Sequence, residues 1–294
     1  MPRYAAEGLD LSRLPPPQAV RALDYEALLA ARRERLIAQL QAAGIAFDAA
    51  LLDSDPAMIL QQVDAYRELL ALGALNDAVR ATMAAFATGA DLEHIAIRSG
   101  IQKMVGESDE RLRWRVLLAP EAWGVGKTAG YLQAALTAHI DVVDAGVWVD
   151  KSVPGQPVVR IAPMVAAGDG SPPIDVLDAV RIFLNRDDVM AATDVIAVQP
   201  PVIIPYEISV VVQHRTGPDP SVLRDAAQTA LARLAADRHA PGRAVPLSAV
   251  TAAALPAAAE SVRVLSPTAD VTVRNRGDLT LCTAITVTSE VVDG

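Results

Sequence analysis

The sequence predicts an α+β protein in which an all-helical N-terminal domain is followed by two small α+β domains. Three observations carry this. Through the first hundred residues the apolar positions return at the 3.6-residue spacing of helices. From Thr128 onward, short alternating apolar and polar runs bounded by Gly and Pro enter as strand candidates. Gln199-Pro200-Pro201 then divides this mixed region at a segment that neither helix nor central strand accommodates. The expected divisions are an extended arm over 1–23, a helical domain over 24–106, and α+β domains over 107–200 and 201–294.

The arm carries Leu11-Ser12-Arg13-Leu14 ahead of Pro15-Pro16-Pro17, a composition suited to extended, partly polyproline II chain. A helix is expected from about Asp24 to Ala43, capped by Asp24 and stopped by Gly44, with Leu29, Leu36 and Leu40 on one face. The stretch Asp55 to Ala87 is predicted as one long helix or two nearly collinear ones. Asp55 is placed to cap it, Pro56 suits the first turn, and Gly89 is expected as its C-terminal stop. At a rise of about 1.5 Å per residue such a rod is on the order of 45 Å long, more than a small domain needs for its own core. A short helix from Leu92 to Arg98, ended by Gly100, closes the helical region.

Glu107-Ser108-Asp109-Glu110-Arg111 reads as a helix start whose carboxylates favour the positive end of the helix dipole, with a carboxylate metal site as the alternative. A helix over Thr128 to Ile140 leads to strands at Val142 to Val149 and Val158 to Pro163, with Pro154-Gly155 turning between them. Next come a helix through Ile174, Leu177, Val180 and Leu184 and a strand at Asp194 to Val198. Beyond the linker, Tyr206, Ile208, Val210 and Val212 alternate with polar neighbours as a half-buried strand. A helix through Leu223, Ala227, Leu231 and Leu234 and a shorter one capped by Ser248 follow. Strands at Val262 to Leu265 and Leu279 to Val287 end the chain. Strand, helix, strand thus occurs on both sides of the linker, a weak internal repeat.

Composition excludes several function classes. The 294 residues are 52% hydrophobic but only 4% aromatic, so the cores are aliphatic and few large rings are available to line a ligand pocket. A net charge of −9 with dispersed basic residues argues against a nucleic-acid partner. The lone Cys282 allows no intramolecular disulfide and no cysteine-based zinc cluster, which points to a reducing compartment. No apolar run approaches membrane-spanning length and no secretory signal is visible, so synthesis and residence in the cytoplasm are expected.

No catalytic, cofactor-binding or metal-ligating set emerges. Gly124-Val125-Gly126-Lys127-Thr128 ends like a phosphate-binding loop and leads into a helix. The pattern requires a glycine five residues before Gly126, however, and that position is Glu121, a carboxylate where phosphate oxygens would lie. A nucleotide-binding enzyme built on Gly126-Lys127-Thr128 is the alternative reading this motif leaves. His94, His139, His214 and His239 fall in four separate elements, without the one-turn spacing of paired ligands. No nucleophile elbow accompanies them, and Cys282 lies in an alternating β pattern as a packed small residue.

An ordered series of short signatures carries a resemblance. Asp53-Ser54-Asp55-Pro56-Ala57, Ala65-Tyr66-Arg67-Glu68, Asn76-Asp77-Ala78, Ala87-Thr88-Gly89-Ala90-Asp91-Leu92, Glu107-Ser108-Asp109-Glu110-Arg111 and Leu118-Ala119-Pro120-Glu121-Ala122 follow one another as in the baseplate J proteins of contractile-tailed phages. Gly168-Asp169-Gly170, Thr193-Asp194 and Gly217-Pro218-Asp219 extend the likeness over nearly the whole chain from Leu11. The chain resembles this family throughout, departing at Gly124 to Thr128, where a more neutral turn is expected.

The resemblance implies a structural subunit of the baseplate wedge, without enzymatic activity or cofactor. It implies assembly with other copies of itself, with the tail-fin (I-type) protein and with a small wedge protein into a ring around the tail tube. The setting implied is a phage or an R-type bacteriocin, with assembly in the bacterial cytoplasm. Tyr66, Arg67, Glu68, Asn76 and Asp77 are polar-bearing positions in an apolar helical pattern that does not require them. They are candidate protein-interface residues, with an intrachain cap or ion pair as the alternative. A stand-alone helical adaptor is the third functional class.

Overall fold

A computed structural model describes residues 22–45, 54–122, 126–152, 155, 157–215, 219–257 and 259–292. The expected N-terminal arm, Gly124-Val125 and the turn at Thr216-Gly217-Pro218 lie outside the described residues. The architecture is α+β, with eight helices and six strands among the described residues. Contacts divide it into a helical unit ending at Gln102 and a mixed unit beginning at Lys103.

The helical unit begins with α1 (Tyr25–Ala42), capped by Asp24, whose carboxylate accepts the Ala27 N–H at 3.1 Å. Its stop is the expected glycine. Gly44 takes φ +71°, its N–H bonds Gln41 O, and the Ile45 N–H returns to Leu40 O, so two orphan carbonyls are satisfied. α2 (Pro56–Ala81) starts where expected, with Asp55 accepting the Ala57 N–H at 2.8 Å and Pro56 in the first turn. It is one unbroken helix of 26 residues, about 39 Å long.

The rod ends at Ala81, short of the expected Ala87. The Thr82 hydroxyl donates to Val79 O (2.8 Å), and the Phe86 and Ala87 N–H groups both turn back to Met83 O. A side-chain donor thus competes for a carbonyl of the last turn, and the chain tightens out of the helix. Gly89, at φ +55°, heads α3 (Gly89–Arg98) rather than stopping α2. Gly100 ends α3 with the same paired bonds as Gly44, to Ile97 O and from Ile101 to Ala96 O.

In the mixed unit, α4 (Asp109–Ala122) and α5 (Thr128–Ala138) precede a first sheet. In it β2 (Val158–Val165) is central, antiparallel to β1 (Val142–Asp150) and parallel to β3 (Val195–Val198), with α6 (Ile174–Leu184) crossing over. Leu132, Leu136, Val147, Ile161, Val180 and Leu184 build one aliphatic core beneath it. The second sheet has β4 (Val202–His214) at its centre, antiparallel to β5 (Ser261–Ser266) and parallel to β6 (Asp278–Val291).

α7 (Pro220–Arg238) and α8 (Leu247–Ala254) cover that sheet, with Ile208, Val210, Leu231 and Val250 in the core. Ser248 does not cap α8 as expected. It lies inside the helix, and the Leu247 N–H is taken instead by Asp270 Oδ1 at 2.8 Å, from a loop 23 residues away that local sequence could not reveal.

The two sheets meet through glycines. A Cβ on Gly146 of β1 would lie 2.0 Å from Arg276 O, and one on Gly277 would lie 2.5 Å from the Trp148 ring. Gly146 therefore packs on the Arg276-Gly277 backbone just ahead of β6, and the Trp148 ring lies against Gly277, where a Cβ at either glycine would collide.

Candidate assembly surfaces

α2 is apolar on more than one side. Met58 and Ala65 are fully buried within the helical unit, yet Ile59, Val63, Tyr66 and Leu70, spaced as one helical stripe, stay 46–56% exposed. Leu60 and Leu75 extend this exposure. A helix that is hydrophobic nearly all round belongs in the middle of a bundle, but the described residues of its unit cover only part of its circumference.

The five sequence-selected residues separate by environment. Tyr66 belongs to the exposed stripe, and Arg67 and Asp77 are exposed. Glu68 accepts from Arg32 of α1 at 2.8 Å, and Arg32 also approaches Asp64 at 3.8 Å. Asn76 is buried at 4% exposure. Glu68 and Asn76 therefore serve intrachain packing in this conformation, while Tyr66, Arg67 and Asp77 face outward. Asp77 also lines an open groove of about 650 Å³ between α2 and α3, shared with Ala81, Asp91, His94, Ile95 and Arg98.

Sequence reasoning missed a buried ionic cluster in the mixed unit. Glu107 is fully enclosed and is neither a solvated first-turn carboxylate nor part of a metal-ligating group among the described residues. It receives Arg115 Nη1 at 3.1 and 2.9 Å, the Met104 N–H at 2.9 Å and Arg111 Nη1. Arg111 also donates Nη2 to Leu136 O, His139 O and Val142 O at 2.5, 3.0 and 3.3 Å. That guanidinium thus satisfies carbonyls at the end of α5, where a helix presents unpaired acceptors. Burial lowers the Arg111 pKa, opposed by the adjacent Glu107 charge. The signal was present as the four-residue spacing of Glu107, Arg111 and Arg115, the two arginines on one face of α4 and Glu107 two residues ahead of its start.

Of the phosphate-loop-like segment, the described residues Gly126, Lys127 and Thr128 lie beside a carboxylate. Lys127 is exposed in front of α5, and Gly126 adopts φ +76° with its Cβ direction 3.7 Å from Asp194 Oδ2. Tyr131 on α5 donates its hydroxyl to the same Oδ2 at 2.5 Å. Burial, reinforced by Asp194, pushes the Tyr131 phenol up to about 12. A protein carboxylate therefore stands beside the turn where an anion would have to approach.

The histidines are dispersed. His94 is exposed in the α2–α3 groove, buried His214 has Nδ1 2.9 Å from Arg215 O, and His239 has Nδ1 2.8 Å from Thr280 O. Cys282 packs half-buried in β6, its thiol pKa raised by burial, the opposite of what nucleophilic reactivity needs.

Among the described residues, α2 thus keeps an apolar stripe exposed while Glu68 and the Glu107 cluster bond within the chain. Residues 53–109 match the Baseplate J-like N-terminal domain. Over 94% of this chain and 95% of the relative, the sequence is 31% identical to the curated baseplate protein J of Escherichia phage P2. The chain belongs to the baseplate J family of phage baseplate structural proteins.

Proposed function

We propose that this protein is a structural, non-enzymatic subunit of the baseplate wedge of a contractile phage tail or tail-like particle. It assembles with other copies of itself, the tail-fin (I-type) protein and a small wedge protein into a ring around the tail tube. Its place is the host cytoplasm during assembly and then the baseplate of the particle. Heterologous contacts that close generate such rings. No helix among the described residues is long and apolar enough to cross a membrane.

The observation that carries this reading is the exposed stripe Ile59, Val63, Tyr66 and Leu70 on α2. Leaving large apolar side chains in water forfeits roughly 1.5–3 kcal/mol for each that could be fully buried. In the proposed arrangement the helical unit bundles with a wedge partner along this stripe, which includes Tyr66 and is flanked by Arg67 and Asp77, while Glu68 and Asn76 brace the rod. The two lobes, 107–200 and 201–294, make copy-to-copy contacts.

The test is co-purification of the full chain with the tail-fin protein. Val63→Asp/Leu70→Asp changes outward positions and is expected to reduce binding at least tenfold with unchanged circular dichroism. Undiminished binding by that variant would refute the helical surface.

A further inference from the structure

We infer that the two lobes of the mixed unit move as one body, because a joint built on glycines locks the hinge that Gln199-Pro200-Pro201 would otherwise provide. The lobes have separate aliphatic cores, with Leu136, Ile161 and Val180 in one and Ile208, Leu231 and Val250 in the other. Lobes with separate cores and a proline-bearing linker move relative to each other unless something holds them. The joint is what holds them here.

The linker has little free length. Gln199 still belongs to the first sheet, since its N–H bonds Ile161 O at 3.0 Å and its side chain accepts from Arg160 Nη1 at 2.8 Å. Val202 already pairs with Asp278 of the second sheet. Between the two ladders stand Pro200 and Pro201, and a proline ring holds φ at about −65°.

Beside the linker, the second lobe presses backbone against the first at two places. A Cβ on Gly146 of β1 would lie 2.0 Å from Arg276 O, and one on Gly277 would lie 2.5 Å from the Trp148 ring and 3.1 Å from the Ala162 Cβ. The loop after β2 makes the second approach. There Gly170, at φ +90°, leaves room for the second lobe's Leu279 and His239, which a Cβ would meet at 2.9 and 3.2 Å.

The segment that makes these contacts is fixed within its own lobe. Asp278 Oδ2 accepts the Arg274 and Asn275 N–H groups at 2.7 and 3.2 Å, and Asp278 O takes the Gly242 N–H at 2.7 Å. His239, at the end of α7, has Nδ1 2.8 Å from Thr280 O, and the Thr280 hydroxyl donates to Arg238 O at 3.1 Å. Asp278, Leu279 and Thr280 are at most 1% exposed. A displacement of the joint therefore displaces α7 with it. Rocking the lobes about Pro200-Pro201 would either drive the Arg276 carbonyl into β1 or lift Gly277 off the Trp148 ring and open a void, and close-packed interiors resist both. A partner that touches both lobes meets a preorganised surface, with no ordering cost at the linker.

The experiment measures interlobe distance distributions in the full chain by pulsed electron paramagnetic resonance. Spin labels are placed at Asp175→Cys on α6 and Ala226→Cys on α7, both exposed positions, in a Cys282→Ser background. A Glu110→Cys/Asp175→Cys pair within the first lobe gives the reference width of a rigid body. The interlobe distribution is expected to be single and no wider than the reference. Gly146→Ala is expected to broaden or split it while leaving the reference unchanged, because its methyl must push the Arg276 carbonyl away from β1. A wild-type interlobe distribution that is multiple or wider than the reference overturns the locked hinge. An interlobe distribution unchanged in Gly146→Ala overturns the glycine joint as its cause. Should Gly146→Ala broaden the reference as well, the first lobe has itself lost its fold, and Gly277→Ala takes its place in the same measurement with the same two outcomes.

Discussion

Replacing Glu107 by Gln tests whether the buried cluster holds the mixed unit together. The Glu107 side chain is fully enclosed, and its partners Arg115 and Arg111 are only 2% and 12% exposed. Gln keeps the shape and one acceptor oxygen but removes a negative charge bonded to two guanidiniums. Breaking a buried pair by removing one partner costs about 3–5 kcal/mol, because the remaining charge is uncompensated. For a unit of roughly 150–250 residues each kcal/mol lowers the melting midpoint by about 2–4 °C, so a fall of roughly 6–20 °C is expected. Trp114, Trp123 and Trp148 all lie beyond Lys103, so tryptophan fluorescence in urea reports this unit alone. A Glu107→Leu/Arg115→Leu variant does not return to wild type, since Arg111 remains charged and tied to three carbonyls. A loss below about 1 kcal/mol for Glu107→Gln would show the cluster to be solvated and refute the reasoning.

Burial pushes both Tyr131 and Tyr206 up to about 12, so in a spectrophotometric titration two of the five tyrosines should ionise well above the ordinary range. A raised folded pKa favours the protonated phenol, so this stability is intact below about pH 10 and lost as pH rises through about 12. Tyr131→Phe and Tyr206→Phe should each remove one late equivalent; complete titration of wild type by about pH 10.5 would contradict the burial argument. Gly146→Ala should cost at least about 1–3 kcal/mol by urea unfolding, because its methyl meets the Arg276 carbonyl and Gly277 backbone rather than a flexible side chain. Asp55→Ala should cost about 1 kcal/mol of helix stability, read by circular dichroism, with Asp55→Asn closer to wild type.

What was legible in the sequence was local. Asp24 and Asp55 cap where expected because an N-cap needs only its own next few residues. Gly44 and Gly100 stop helices because their left-handed backbone suits them to it. Periodicity gave the strands of both sheets to within a few residues at most boundaries. The early end of α2 depended on a threonine hydroxyl choosing a backbone carbonyl, and the true acceptor at the start of α8 came from Asp270. Neither choice has a distinctive local pattern. Of the interface candidates, sequence could identify Glu68 and Asn76 as polar in an apolar run, but only the packing of α1 on α2 shows that Arg32 claims Glu68. Apolar spacing likewise located the Ile59, Val63, Tyr66 and Leu70 stripe without revealing that it remains outside.

That outcome changes which residues of the rod have binding energy to contribute. The Arg32–Glu68 pair is about one-third exposed on each side, 31% and 41%, and a pair so placed is worth about 1 kcal/mol or less. It can fix the register of α1 on α2 at little cost to either helix. An apolar stripe behaves oppositely: its contribution is absent while exposed and grows with the area a partner removes from water. Polar signatures that identify the family and apolar residues that drive association therefore need not coincide. In the arrangement proposed above, Glu68 holds α1 in register on α2 through Arg32, and the apolar stripe carries the association energy. On this division Glu68→Ala should leave tail-fin binding within about threefold, while Val63→Asp/Leu70→Asp should weaken it at least tenfold. A reversal of that order would place the binding energy in the polar signature and require Arg32 to release Glu68 on assembly.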